Sequence, residues 1–390
     1  MKKYLFLAAI AAVALAACAK VETYKADDSA PEAVTFGVYT GKAATKAVSA
    51  TTFGTIDQTA LEGSANGFGV FAFHSDNSAD ANDYVASPSA SPNSNFKPNF
   101  MYNQKVKYNS GKWEYSPLKY WPNEYGDAAV STATDKLTFF AYAPYVATVG
   151  TEGITAFSEN SATGDPTVSF KVPAKAEEQI DLLWSNADLK NKTKYAVNGL
   201  VKFTFVHALS NLSIYPIAVV DATSIPASNG TDIDAATKVT INSITIKGKF
   251  NQEGTLNIAT GVWTSSAAAA AQTVSFDPTT AVDVTAINDK AEADATTNKP
   301  VAELMFIPSS AAQDYEIAID YDFTTTDAAV QGGKVVVNNK ISKTLSGLTF
   351  EQGHRIKLYL ALGITSVKIE ATVGNWTDDA AQTVWLPLNL

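Results

Sequence analysis

The sequence predicts an all-β protein built as two tandem antiparallel β-sandwich domains. Three observations lead there: apolar residues recur at every second position in many short stretches, 3.6-residue spacing is nearly absent, and clusters of Pro, Ser, Asn and Gly separate the stretches. Short strands without crossover helices pack as sandwiches rather than as a parallel sheet. A chain of 390 residues, at roughly 150 residues per domain, holds two such cores.

Charge and composition remove several functions. With 39 acidic against 29 basic side chains and a net charge of −10, the surface repels polyanions, so no nucleic acid is expected as a partner. One cysteine and three histidines assemble neither an internal disulfide nor a Cys/His zinc cluster. No cofactor is expected.

The first element, residues 1–18, is an export signal. Lys2 and Lys3 precede the apolar run Tyr4 to Ala14, and Leu15-Ala16-Ala17-Cys18 closes it with small residues. The run is too short to span a bilayer. Leu-Ala-Ala-Cys resembles a bacterial lipobox, which makes Cys18 the lipidated residue; an ordinary signal with an incidental cysteine is the alternative. Ala19 to Glu32 is a polar spacer that reaches at most about 50 Å when extended.

A strand follows, with Val34, Phe36 and Val38 on one face and Thr35, Gly37 and Tyr39 on the other. Next comes Gly41 to Val48, small and polar apart from Lys42 and Lys46, read as an exposed loop with two trypsin-like cleavage points. Cutting there detaches the lipid anchor and frees the strand before it; the plain alternative is a solvent loop that is never cut. The runs Gly67 to Phe73, Leu137 to Ala143, Val239 to Ile246 and Leu304 to Ile307 are strands buried on both faces or carrying a bulge. Alternation marks half-buried strands at Val201/Phe203/Phe205, Tyr315 to Phe323, Ile356 to Leu362 and Val367 to Val373. The polar stretch Asn186 to Asn198 is the expected seam, giving one sandwich over residues 47–197 and a second over 198–390.

The last strand, 383–390, sets Val384, Leu386, Leu388 and Leu390 against Trp385, Pro387 and Asn389. Chain ends are usually polar, so an apolar alternating strand there calls for a groove, in its own domain or in a neighbour. Burying four such side chains contributes on the order of 6–12 kcal/mol before ordering costs. Pro387 has no N–H to give a ladder.

Catalytic signals are absent from the sequence: no His-Glu-x-x-His, Gly-x-Ser-x-Gly, P-loop or EF-hand loop occurs. His207, on an apolar strand face, reads as a hydrogen-bonded core histidine. Asp76, Asp80 and Asp83, like Asp232 and Asp234, read as solvated loop carboxylates rather than calcium ligands. Trp113, Tyr115, Tyr120 and Trp121 are either buried sandwich aromatics or a glycan-stacking platform.

Several of these segments together resemble the fimbrillin family, the subunits of type V pili of Bacteroidetes-type bacteria. The resemblance lies in the lipobox, the Val-Thr-Phe strand followed by Thr45-Lys46-Ala47, Lys119-Tyr120-Trp121-Pro122 with Leu137 to Pro144, Asp181 to Trp184, and Val201 to Leu212 with its Phe-x-His-Ala-Leu. It implies two transthyretin-like β-sandwich domains, a lipoprotein precursor at the outer membrane, cleavage by a surface protease, and polymerisation with other fimbrial subunits by donor-strand exchange. Carried onto this chain, the cut bond is Lys46-Ala47, residues 19–46 are removed, Val34, Phe36 and Val38 form the displaced strand, and Val384 to Leu390 is the donor. Lysine stands at the cut where the best-known pattern has arginine; the one arginine, Arg355, lies inside a strand. A chain with both a cuttable leading strand and a terminal donor matches a stalk subunit, since tip subunits tend to lack the donor and anchor subunits keep their lipid. The second reading is an uncleaved, lipid-anchored surface protein that binds glycans or other ligands.

Overall fold

The computed structural model describes residues 32–40, 56–75, 84, 96–122, 135–194, 196–218, 237–265, 270–286, 293, 300–326, 333–363 and 367–375. In chain order the elements begin with β1 (Thr35–Tyr39), helix α1 (Gln58–Gly63), β2 (Phe68–Ser75), β3 (Met101–Asn109), β4 (Lys112–Glu114) and β5 (Lys136–Ala143). Next come β6 (Ile154–Phe157), β7 (Thr167–Lys171), β8 (Leu183–Ser185), β9 (Leu200–His207), β10 (Ser210–Ala218) and β11 (Lys238–Gly248). Then follow β12 (Glu253–Asn257), β13 (Trp263–Thr264), β14 (Gln272–Phe276), β15 (Val282–Asp283) and β16 (Ala302–Phe306). The long hairpin of β17 (Ser309–Thr326) and β18 (Lys334–Phe350) precedes β19 (His354–Leu362) and β20 (Val367–Asn375).

Seven strands close a barrel in the order β1-β4-β3-β2-β5-β8-β9. Its interior holds the inward row of β9, Val201, Phe203 and Phe205, with Leu137, Phe139 and Ala141 of β5 and Phe68 and Val70 of β2. The other face of β2 and β5 is also buried: Phe71, Phe73, Phe140 and Tyr142 pack against Ile154, Val168, Phe170 and Leu256 of the sheet β13-β12-β7-β6. Burial on both faces explains why β2 and β5 read as continuous apolar runs. The β3–β4 turn uses Ser110 at φ 48° and Gly111 at φ 88°, two left-handed residues whose twist matches a two-residue hairpin.

The remaining strands form two facing sheets, β16-β10-β19-β20 and β14-β11-β17-β18, with β15 paired to β11. Leu212, Ile214, Leu304, Ile356 and Leu358 meet Ile244, Ile246, Ile317, Ile319 and Tyr321 between them. The all-β reading therefore holds. Most pairs are antiparallel, but two are parallel, β1 with β9 and β10 with β19, a departure from purely antiparallel sheets that alternation cannot reveal.

The seam expected at Asn198 divides strands that are paired. β9 lies beyond it yet is hydrogen-bonded to β8 and β1 in the barrel, and β7 pairs with β12 across it. Lysine-rich polarity at 186–198 belongs to a connection that runs along β5, where Leu189 and Lys192 bond Phe139 and Leu137, and not to a break in the hydrogen-bonded network. Helix α1 was also unannounced: Asp57 caps it by accepting from the Ala60 N–H at 2.7 Å, but six residues with one buried apolar side chain, Leu61, carry no detectable period.

Candidate functional site: the seat of the first strand

β1 is the stave that closes the barrel. On one edge it runs parallel to β9 through five residue pairs, from Thr35↔Leu200 to Tyr39↔Thr204. On the other it has one pair with β4, Phe36↔Trp113, and a short strap from 119–121. In the strap, Val34 donates to the Lys119 carbonyl at 2.8 Å and Trp121 donates to the Glu32 carbonyl at 3.0 Å. Alternation does the rest: Val34 and Phe36 are 1% and 5% exposed, Val38 is partly buried, and Tyr39 is 51% exposed.

The pocket under Phe36 is aromatic. Its ring centroid lies 5.2 Å from Tyr115, 5.5 Å from Phe203, 6.1 Å from Phe139 and 6.3 Å from Phe68, within the range of favourable edge and offset contacts. The Tyr115 hydroxyl sits 2.9 Å from the Val34 carbonyl and 3.0 Å from the Lys119 carbonyl, and accepts from the Lys119 N–H at 3.2 Å. Burial pushes the Tyr115 phenol up, so it stays a donor at all physiological pH values. Thr35 Oγ1 donates to the Gly199 carbonyl at 3.0 Å, and Glu32 pairs with Lys194.

Both ends of the connection that follows β1 are hydrogen-bonded, one to helix α1 and the other to Asp181, just before β8. Thr40 donates its N–H to Gln58 Oε1 at 3.1 Å. Ile56 donates its N–H to Asp181 Oδ2 at 3.2 Å, and that same oxygen is 2.7 Å from His207 Nδ1. Asp181 is fully buried, so this one carboxylate ties β9 to the start of the α1 segment. Thr40, Ile56 and His207 also line a cleft of about 350 Å³ with Trp184 and His354.

Of the sequence-predicted site residues, the structure places Val34, Phe36 and Val38 together on the inner face of β1. Cys18, Lys46, Ala47, Val384, Leu386, Leu388 and Leu390 lie outside the described residues, as do Asp76, Asp80, Asp83, Asp232 and Asp234. His207 has the hydrogen-bonded partner its position suggested. Tyr115 and Trp121 belong to the barrel core and Trp113 packs on Phe68 at 5.0 Å, the three forming a wall of β1's seat, while Tyr120 alone of the four is exposed. Among the described residues no group of three His, Cys, Asp or Glu is arranged to hold a metal. Asp181 and Lys119 were not among the candidate site residues, because their contacts with β1 and its connection span 85 to 125 positions and leave no local signal.

The described residues define an all-β class of protein, a barrel closed by its first described strand and followed by stacked sheets. The chain belongs to the fimbrillin-like family, whose model matches residues 45–376. It is 27% identical over 397 residues to the fimbrium subunit Fim1C of Phocaeicola vulgatus, covering 96% of each chain. In three dimensions it is similar to a fimbrial protein from Bacteroides vulgatus, with a TM-score of 0.62 and 22% identity over 89% of this chain and 100% of that one. The family match begins after β1 and ends one residue past β20.

Proposed function

We propose that the protein is a stalk subunit of a surface fimbrium, exported as a lipoprotein through Cys18 and polymerised when β1 gives way to the 384–390 strand of a neighbour. The observation that carries this reading is the position of β1: it closes the barrel, it supplies Val34 and Phe36 to the core, and the chain runs from it directly into the segment holding Lys46-Ala47. Cutting that segment leaves β1 held by side-chain burial, the five-residue ladder with β9, one residue pair with β4 and the bonds of Glu32 and Val34 to the 119–121 strap. Three buried apolar side chains contribute on the order of 5–9 kcal/mol before ordering costs, which is enough to keep the precursor closed and few enough contacts for a competing strand to replace.

In this reading the barrel that β1 and β9 close and the facing sheets β16-β10-β19-β20 and β14-β11-β17-β18 act as the two bodies of each subunit, and the partners are further fimbrial subunits, of the same or another kind. The lipid tethers the precursor to the outer membrane until a surface protease removes residues 19–46. The test is the N-terminus of subunits recovered from fibres. Ala47 is expected; subunits that still carry Glu32 to Thr40 in place refute the exchange.

A further inference from the structure

Resting on that reading, the seat of β1 also determines which way the replacing strand runs. Alternate residues of a strand direct their N–H and C=O to opposite edges. Val34 and Glu32 bond the 119–121 strap, so the even positions address the β4 edge, and Thr35, Gly37 and Tyr39 address β9, opposite Leu200, Lys202 and Thr204. The alternation of the segment 384–390 makes Val384, Leu386, Leu388 and Leu390 the row to turn inward on insertion, with Trp385, Pro387 and Asn389 outward. Either polarity puts a leucine in the Phe36 pocket, so the apolar row does not discriminate. The outward row does.

Inserted in the direction of β1, Pro387 takes the place of Gly37 with its backbone toward Lys202, and its missing N–H falls in the middle of the continuous five-residue ladder, leaving a β9 carbonyl unpaired. Reversing the strand with the same row inward exchanges its two edges. Pro387 then addresses the β4 side, where β1 itself has a single residue pair, and the inward residues, all with N–H groups, meet β9. We propose that residues 384–390 of a second copy enter the slot antiparallel to β9, opposite in direction to β1.

Two further features match. Centred on Gly37, the reversed strand sets Trp385 where Tyr39 lies exposed and Asn389 where Thr35 donates to the Gly199 carbonyl at 3.0 Å, aromatic for aromatic and donor for donor. A Cβ at Gly37 meets Lys202 Cγ at 3.6 Å and Leu200 Cδ1 at 3.7 Å, ordinary contact distances, so the proline ring has room. Antiparallel ladders are also slightly stronger per residue than parallel ones, which favours exchange over retention of β1.

Disulfide mapping reads the polarity directly. In fibres of protein carrying Thr204→Cys, a second substitution Trp385→Cys is expected to link neighbouring subunits at least ten-fold more than Asn389→Cys, and Leu200→Cys is expected to show the reverse preference. Peptides spanning 383–390 with a cysteine at 385 or 389, offered to the trimmed Thr204→Cys subunit, make the same comparison without requiring polymerisation. Preferential linkage of position 389 to position 204 overturns the reversed polarity and leaves strand exchange standing. Linkage of neither position, in fibres and with peptides, overturns the exchange itself and the polarity with it.

Discussion

Replacing Phe36 with alanine tests how β1 is held. Its ring is 5% exposed and touches four others at centroid distances of 5.2 to 6.3 Å, so the change removes a core aromatic without touching the β9 ladder. Phe→Ala in a packed core costs about 3–5 kcal/mol, and the four ring neighbours place this site away from the lower bound. Even about 3 kcal/mol is roughly 100-fold in an equilibrium constant. With the chain nicked at an engineered site within residues 41–55 and a fluorophore on the leading piece, dissociation of that piece into excess unlabelled competitor is followed by anisotropy. Release from Phe36→Ala is expected to be about 100-fold faster than from the parent, and faster than from Thr35→Ala, which removes only the bond to the Gly199 carbonyl. In the uncut chain the same substitution lowers the melting temperature by about 6–12 °C, at about 2–4 °C per kcal/mol for a body of this size. A release rate within about three-fold of the parent refutes the view that the aromatic pocket, and not the ladder alone, retains β1.

Two other substitutions probe neighbouring contacts. Tyr115→Phe removes the hydroxyl at the Val34 and Lys119 carbonyls; a loss of about 0.5–1.5 kcal/mol is expected, seen as faster amide exchange at Val34 and Trp121 with distant strands unchanged. Tyr315→Phe should be neutral or slightly stabilising at pH 7, because the buried Tyr315 hydroxyl has no hydrogen-bond partner among the described residues. Burial pushes that phenol up to about 12; its raised folded-state value means that it supports the fold fully below the unfolded value near 10 and ceases to as pH climbs toward 12. Urea midpoints measured from pH 9 to 12 should therefore fall less steeply in Tyr315→Phe than in the parent, and parallel curves would refute the assignment.

Alternation located strands wherever one face meets a core and the other meets water. β9 and β17 are of this kind, with Lys202 and Glu316 outside the rows Val201/Phe203/Phe205 and Ile317/Ile319; β19 shares the inward row Ile356/Leu358, but its second face is also covered, with Tyr359 buried against Tyr215. Alternation failed for strands with little buried surface. β3 and β4 are mainly polar, and β18 keeps Lys334, Asn338, Lys340 and Lys343 along its length; fourteen residue pairs with β17 hold it in the sheet. β10 was hidden for the opposite reason, since it is buried throughout and its Ser210, Asn211 and Ser213 break any apolar pattern.

The amino-acid sequence alone determined the all-β class, the inward row Val34/Phe36/Val38 and the polar connection after it, because a side chain's face in a strand follows from local periodicity of two. Only the tertiary structure decided that β1 lies parallel to β9, that Tyr115 and the 119–121 strap complete its seat, and that β7 and β12 join across the expected seam. Edge pairing depends on which distant strand presents a free row of N–H and C=O groups. Every residue except proline carries both groups alike, so the choice of partner is left mainly to packing.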